Sequence, residues 1–349
     1  MTSAKNNPWL CRFAGLTAFA TFLLLGLGGL VTSHEAGMSV PDWPNTFGYN
    51  MFLFPPAQWV GGIFYEHSHR LLASAVGLMT TVLAVWLWLR DARPWMHWLG
   101  VAAFLGVVAQ GVLGGLRVTL HMDSLGVFHG TIAQMFFVLT CALTLFTSRW
   151  WADLVANKSV APVPSGLRTL VLATTLLVLG QLILGATMRH QHAGLAIPDF
   201  PLAYGRVWPD TGADAVAQYN VQRAPVNGLN PITPFQIELQ MTHRLLALAI
   251  LILAALCAWQ ARQQLGRRDA LTKLAGFWLV LILAQVALGA ATIWSNKAAD
   301  VATAHVLAGA LALTLGALWT LVAFHRSEPL TQIQSVKTFG AQAALAANK

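Results

Sequence analysis

Eight runs of about 20 apolar residues divide this sequence, each long enough to cross a bilayer. They cover residues 13–33, 66–89, 96–117, 124–147, 167–188, 237–260, 273–295 and 301–324, with charges or prolines between them. In lipid the backbone must satisfy its own hydrogen bonds, and within one segment only the α-helix does so. Charged residues are 10% of the 349-residue chain, against roughly 25% in a soluble domain. The expectation is an all-α integral membrane protein with eight transmembrane helices. The first run follows Lys5 and Arg12, but it is long for a signal-peptide core and no small-x-small cleavage site follows. It reads as a retained span.

In such a chain the net charge of +8 is loop charge that sets orientation, not a nucleic-acid signal. Fourteen of the 21 Lys and Arg residues lie in the N-terminus, the loops near 90–95, 148–168 and 261–273, and the C-terminus. The other seven are Arg70, Arg117, Arg189, Arg206, Arg223, Arg244 and Lys297. Both termini are therefore expected in the cytoplasm, with the long loops 34–65 and 189–236 outside. Cys11, Cys141 and Cys257 form no C-x-x-C and read as small buried hydrophobes.

The sequence also repeats itself. AGMSVPDWP from Ala36 matches AGLAIPDFP from Ala193, and HRLLA from His69 recurs from His243. VAQGVLGG from Val108 resembles LAQVALGA from Leu283, and His129 in GVFHG aligns with His305 in ATAH. The offsets are 157, 174, 175 and 176, which places an insertion of about 17 residues in the second outer loop. Four spans return the chain to its starting side, so the repeats are parallel. The reading is two tandem four-helix bundles, residues 1–150 and 167–326, related by a pseudo-two-fold axis along the membrane normal. A cytoplasmic linker, 151–166, joins them, and a cytoplasmic tail, 327–349, follows.

Four of the 11 histidines stand apart. His69, His129, His243 and His305 lie about five residues inside the outer end of a span, or roughly 7 Å deep at ~1.5 Å per residue. They come from the second and fourth spans of each half. A histidine inside a span is a functional candidate, and two level histidines per bundle fit bis-histidine axial ligation of haem iron. Small residues in GLGGLV, GVLGGL, GQLILGA and VALGAA make room for a flat macrocycle. Zinc would need further N, S or O ligands at each site. Arg70 and Arg244 follow His69 and His243 directly and suit either haem propionates or snorkelling to headgroups. His67 faces away from His69, has Met241 as its counterpart, and is given no role. His34, His121, His190 and His192 read as loop or helix-edge residues.

Glu66 lies three residues before His69, on the same helix face, and its counterpart before His243 is Gln240. A carboxylate can ionise, accept a proton and stabilise a developing cation; a carboxamide of the same shape cannot. One site is thus equipped for acid–base chemistry and the other only to hold its ligand. The plain alternative is a Glu favoured by a helix N-terminus.

With EHSHR, GVFHG, QMTHR, ATAH and the outer-loop PDWP in place, nearly the whole chain resembles the haem A synthase family. The resemblance implies a bacterial plasma-membrane enzyme that oxidises the C8 methyl of haem O to a formyl group, giving haem A for terminal oxidases. It implies that the N-terminal half, with His69, His129 and Glu66, takes haem O as substrate and yields haem A. The C-terminal half, with His243 and His305, would hold a permanent haem b for electron transfer. Haem O synthase, oxidase assembly factors, a membrane electron donor and a second copy of the chain are the expected partners. In one departure, the loop 34–65 lacks the cysteine pair that some family members carry. This counts against thiol-dependent haem transfer or redox control through that loop. The competing readings are a di-haem b-type electron-transfer cytochrome without chemistry on the macrocycle and, more remotely, a parallel-repeat transporter. The latter needs more midplane polarity than Gln110, Gln134, Gln181 and Gln285 provide.

Overall fold

The structure is a computed structural model and describes residues 7–122, 124–157, 160–223 and 231–327. Of the tail expected over 327–349, residues 328–349 lie outside the described residues. Among these residues the secondary structure is helical apart from two isolated β-bridges. The helices are α1 (Pro8–Ser33), α2 (Gly61–Arg90), α3 (Pro94–Thr119), α4 (Ser124–Thr147), α5 (Arg149–Ala156), α6 (Ser165–His190), α7 (Ala213–Arg223), α8 (Pro234–Gln264), α9 (Ala270–Trp294) and α10 (Ala299–His325).

All except α5 and α7 are long and apolar enough to cross a membrane. They correspond one to one with the eight apolar runs. Most overrun them, because capping and loop contacts sustain helix where hydropathy fades. Asn7 accepts from Trp9 and Leu10 N–H ahead of α1, Thr233 and Gln236 form a capping box at α8, and Asp269 caps α9. α2 begins at Gly61, so Glu66 sits beyond the first helical turn. There the helix-terminus field has largely decayed, which removes the plain explanation for a Glu at this position.

Within the first half α1 packs on α2 and α4, and α3 on α2 and α4. In the second half α6 packs on α8 and α10, and α9 on α8 and α10. Each half is thus a closed ring of four helices with the same neighbour order. The halves meet through α1 with α10, α4 with α6, and α4 with α10. α7 falls in the insertion anticipated in the second outer loop.

The two largest cores lie at one end of the rings. The first core joins Leu10, Val76, Leu83, Leu87, Met96, Phe136 and Leu143; the second includes Leu167, Val171, Ile250, Trp278, Leu313 and Trp319. All lie on turns away from the four span histidines. Arg326 closes that end of the second half. It pairs with Asp269 at 2.9 Å and donates to the Ala161 carbonyl.

Candidate functional site: paired histidines on helix glycines

Around the histidines the lining changes from leucine and tryptophan to glycine. Each ring lies against a glycine of a neighbouring helix. A Cβ at Gly28 of α1 would meet His69 Cε1 at 3.0 Å, and one at Gly114 of α3 would meet His129 Cε1 at 3.3 Å. In the second half, Cβ atoms at Gly185 of α6 and Gly289 of α9 would meet His243 and His305 Cε1 at 3.4 and 3.3 Å. Gly28 and Gly185 are repeat mates, as are Gly114 and Gly289.

The glycines also expose the backbone behind them. A helical side chain covers the turn N-terminal to its own Cα, so glycine uncovers the carbonyl one turn earlier. The Leu24, Gln110 and Gln285 carbonyls, each four residues before a seating glycine, face His69, His129 and His305. Leu24 and Gln285 stand outside hydrogen-bond geometry, and Nδ1 of His69, His243 and His305 is buried without a hydrogen-bond partner. Gln181 and Gln285 donate to the His243 and His305 main-chain carbonyls at 2.9 and 2.8 Å, tying each histidine-bearing helix to the helix that seats its ring. His69 and His129 are within electrostatic reach of each other, as are His243 and His305.

This arrangement fits a planar iron macrocycle. Each half brings two imidazoles together on helix glycines, with helix carbonyls beside His69, His129 and His305. A carbonyl beside Nδ1 is the usual orienting partner of a metal-bound imidazole.

The outer loops roof the histidines and repeat each other closely. Asp42 accepts from Phe47 and Gly48 N–H, and Asp199 accepts from Tyr204 and Gly205 N–H, all at 2.7–2.9 Å. Phe47 and Tyr204 have φ near +50°, and glycine supplies the positive φ that follows. Glu66 and Gln240 bind these roofs. Glu66 Oε2 accepts from Val40 N–H at 2.9 Å, and Gln240 Oε1 accepts from Ile197 N–H at 2.7 Å. The arginines are spent in the same way. Arg70 donates to the Val40, Asp42 and Asn45 carbonyls and pairs with Glu66 at 2.7 Å. Arg244 donates to the Leu202 and Asp199 carbonyls and lies over the Phe200 ring. Arg70 and Arg244 thus anchor the loops through their Nη atoms, while Nε of Arg244 is buried without a hydrogen-bond partner.

The remaining histidines divide by environment. His67 is fully buried against Phe54 and Trp59, with Nδ1 3.2 Å from Thr46 Oγ1. His34 stacks on Tyr65, and His190 packs against Gly126 of α4. Trp43 lies against Gly115 of α3, so the first roof reaches into the bundle. Sequence reading gave no role to Arg189, which the structure places on the Gly29 carbonyl and Ser33 Oγ of α1.

Fold and site define a class: a multi-pass, all-helical membrane protein with one glycine-seated histidine pair in each half. Residues 11–317 match the COX15-CtaA family, described as cytochrome oxidase assembly protein. The chain is 27% identical to a heme A synthase of Shouchella clausii over 88% of its own length and 94% of the relative's. It is 29% identical to one of Methylobacterium radiotolerans over 90% and 88%, and 31% identical to one of Methylobacterium nodulans over 74% and 70%. The chain belongs to the COX15-CtaA family of cytochrome oxidase assembly proteins, the family of these haem A synthases.

Proposed function

We propose that this protein is a haem A synthase that oxidises the C8 methyl of haem O to a formyl group. The carrying observation is the pair of glycine-seated histidines in each half of a chain whose relatives bear that name. The N-terminal half, residues 1–150, takes the substrate on His69 and His129. The C-terminal half, residues 167–326, holds haem b on His243 and His305; bound there, it supplies one-electron transfer. The common neighbour order of the halves supports a pseudo-two-fold axis along the membrane normal. The positive-residue distribution supports a bacterial plasma membrane with both termini cytoplasmic and both sites near the outer face. Haem O reaches the N-terminal site from its own synthase, and a membrane electron donor is the partner of the C-terminal haem.

The chain's residues divide the work. The histidines orient the substrate against α1 and α3. The loop held by Asp42, Glu66 and Arg70 limits water at the site. Glu66 stabilises positive charge developing at the methyl carbon, or takes a proton from the attacking water. Gln240 keeps the geometry in the second half without that capacity. The buried Glu66–Arg70 ion pair also favours a second reading, a di-haem electron-transfer cytochrome, because it gives Glu66 a structural partner. Chromatography of haem extracted from protein co-produced with a haem O source separates the two. Haem O or haem A beside haem B is the expected outcome; haem B alone supports the plain cytochrome.

A further inference from the structure

The two roofs share a turn but are covered differently. In the second half α7 lies over the roof. Its Val216 and Tyr219 pack with Ile197, Ala203 and Met241, and the Tyr219 ring stacks on Tyr204 at 3.7 Å between centroids. Phe47 is the repeat mate of Tyr204, and His67 is the mate of Met241. The first half has no such helix. Between α1 and α2 the described residues form only two single-turn segments, Met51–Leu53 and Pro56–Gln58, and Phe47 is exposed.

The inner side of this first loop is pinned to His67. Phe54 is buried and packs on the His67 ring at 5.1 Å, and Trp59 packs on the same ring at 4.7 Å. Thr46 Oγ1 lies 3.2 Å from His67 Nδ1. Phe47 and Tyr49 gather on Phe54. The outer side is bare: Phe52 is 67% exposed and Leu53 76%. Residues 43–65 contain no Asp, Glu, Lys or Arg, whereas the matching stretch 200–239 contains Arg206, Asp210, Asp214, Arg223 and Glu238. An uncharged apolar patch of this kind marks a surface that something other than water covers.

The lipid-facing side of α2 leads to that patch. Phe64, Leu78, Val82, Val85 and Leu89 are exposed and fall within about 60° of one another around the helix, at ~100° per residue. Phe64 carries the stripe to the first turn of α2, and the Met51–Leu53 segment rests on the same helix. We propose that the loop 47–60 is seated in the bilayer leaflet on the histidine side, with Phe52 and Leu53 at the boundary of headgroups and acyl chains. Aliphatic and aromatic side chains shed water there, while Tyr49, Asn50 and Gln58 keep their polar groups among the headgroups. Lipid does for the first roof what α7 does for the second, and His67 is the pin that turns the patch outward. The seat requires no ligand on the histidines.

The test attaches a spin label through Leu53→Cys or Phe52→Cys. It uses the full-length chain, with Cys11, Cys141 and Cys257 replaced by Ala, in phospholipid nanodiscs. Labels through Leu78→Cys in the lipid-facing stripe and Gln218→Cys on exposed α7 are the lipid and water references. Collisions with oxygen, which dissolves in lipid, are compared with collisions with a polar nickel chelate. At positions 52 and 53 the oxygen-to-nickel ratio should match that at 78 and exceed that at 218 by about tenfold or more, because a polar chelate is excluded from an apolar phase. Unchanged helical circular dichroism reports that the labelled chains are folded. A ratio at both positions equal to that at 218 would place the loop in water and overturn the seat. Protection from both reagents would show a protein cover, and would overturn it as well.

Discussion

At positions 66 and 240 a carboxylate and a carboxamide accept a hydrogen bond from the same place in two copies of one loop, Val40 N–H and Ile197 N–H. The protein thus contains its own control for Glu66→Gln, since the amide keeps the roof closed in the second half. The substitution should leave the histidine–haem spectrum intact and lower haem A yield by about a hundredfold, the lower end for loss of a general acid–base group. Haem extraction with chromatography measures it, and an unchanged haem A yield would confine Glu66 to pairing with Arg70. The seating glycines make a second prediction. Even a bare Cβ at Gly28 or Gly289 would crowd a histidine ring at 3.0 or 3.3 Å. Gly28→Val should therefore deplete the N-terminal haem alone and Gly289→Val the C-terminal haem alone, each read from haem content per chain. Glu66 was legible in the sequence because the repeat isolates one chemical change in a shared frame. The role of Arg70 was not, because a guanidinium's partners depend on where a distant loop folds.

The outer loops and the helix starts behind them behave as elements with their own stability. Burial tends to raise the pKa of Asp42, but N–H donation from Gly48 and Phe47 and the charge of Arg70 leave it below the ordinary 3.8. A folded value below the unfolded one means that the turn's stability is present above pH 3.8 and lost as pH falls through the folded value. Limited proteolysis of the 34–60 loop should thus accelerate only in strong acid in the wild type, and already near neutrality in Asp42→Ala. Thr233→Ala removes the hydroxyl half of the α8 capping box and should cost about 1 kcal/mol, measured as a lower midpoint in thermal unfolding. The eight spans could be read from hydropathy alone. Their ends could not, because α2 starts at Gly61 against the outer loop, where Tyr65 stacks on His34 and Gly62 lies against Ser39.

Across the whole molecule, the halves meet where glycine lets helices approach. Gly29 against Thr303 couples α1 to α10, next to both histidine sites. A leucine at position 29 should separate these helices, lower the thermal midpoint and alter the spectra of both haems together. A change confined to one haem would show that the junction does not link the sites.

The sequence by itself determined the class of fold, the two-half repeat, the four span histidines and the asymmetry of Glu66 against Gln240. Each is a property of periodicity, hydropathy or alignment along the chain, and each persists whatever packs against it. Only the tertiary structure decided that glycines seat the imidazoles, that Arg70 and Arg244 anchor the loops, and that Arg189 ties α6 to α1. Those facts rest on contacts between distant segments, such as Arg189 with Gly29, 160 residues apart. A guanidinium binds whichever oxygens the packed helices bring within reach, and that is settled only when the helices are in place.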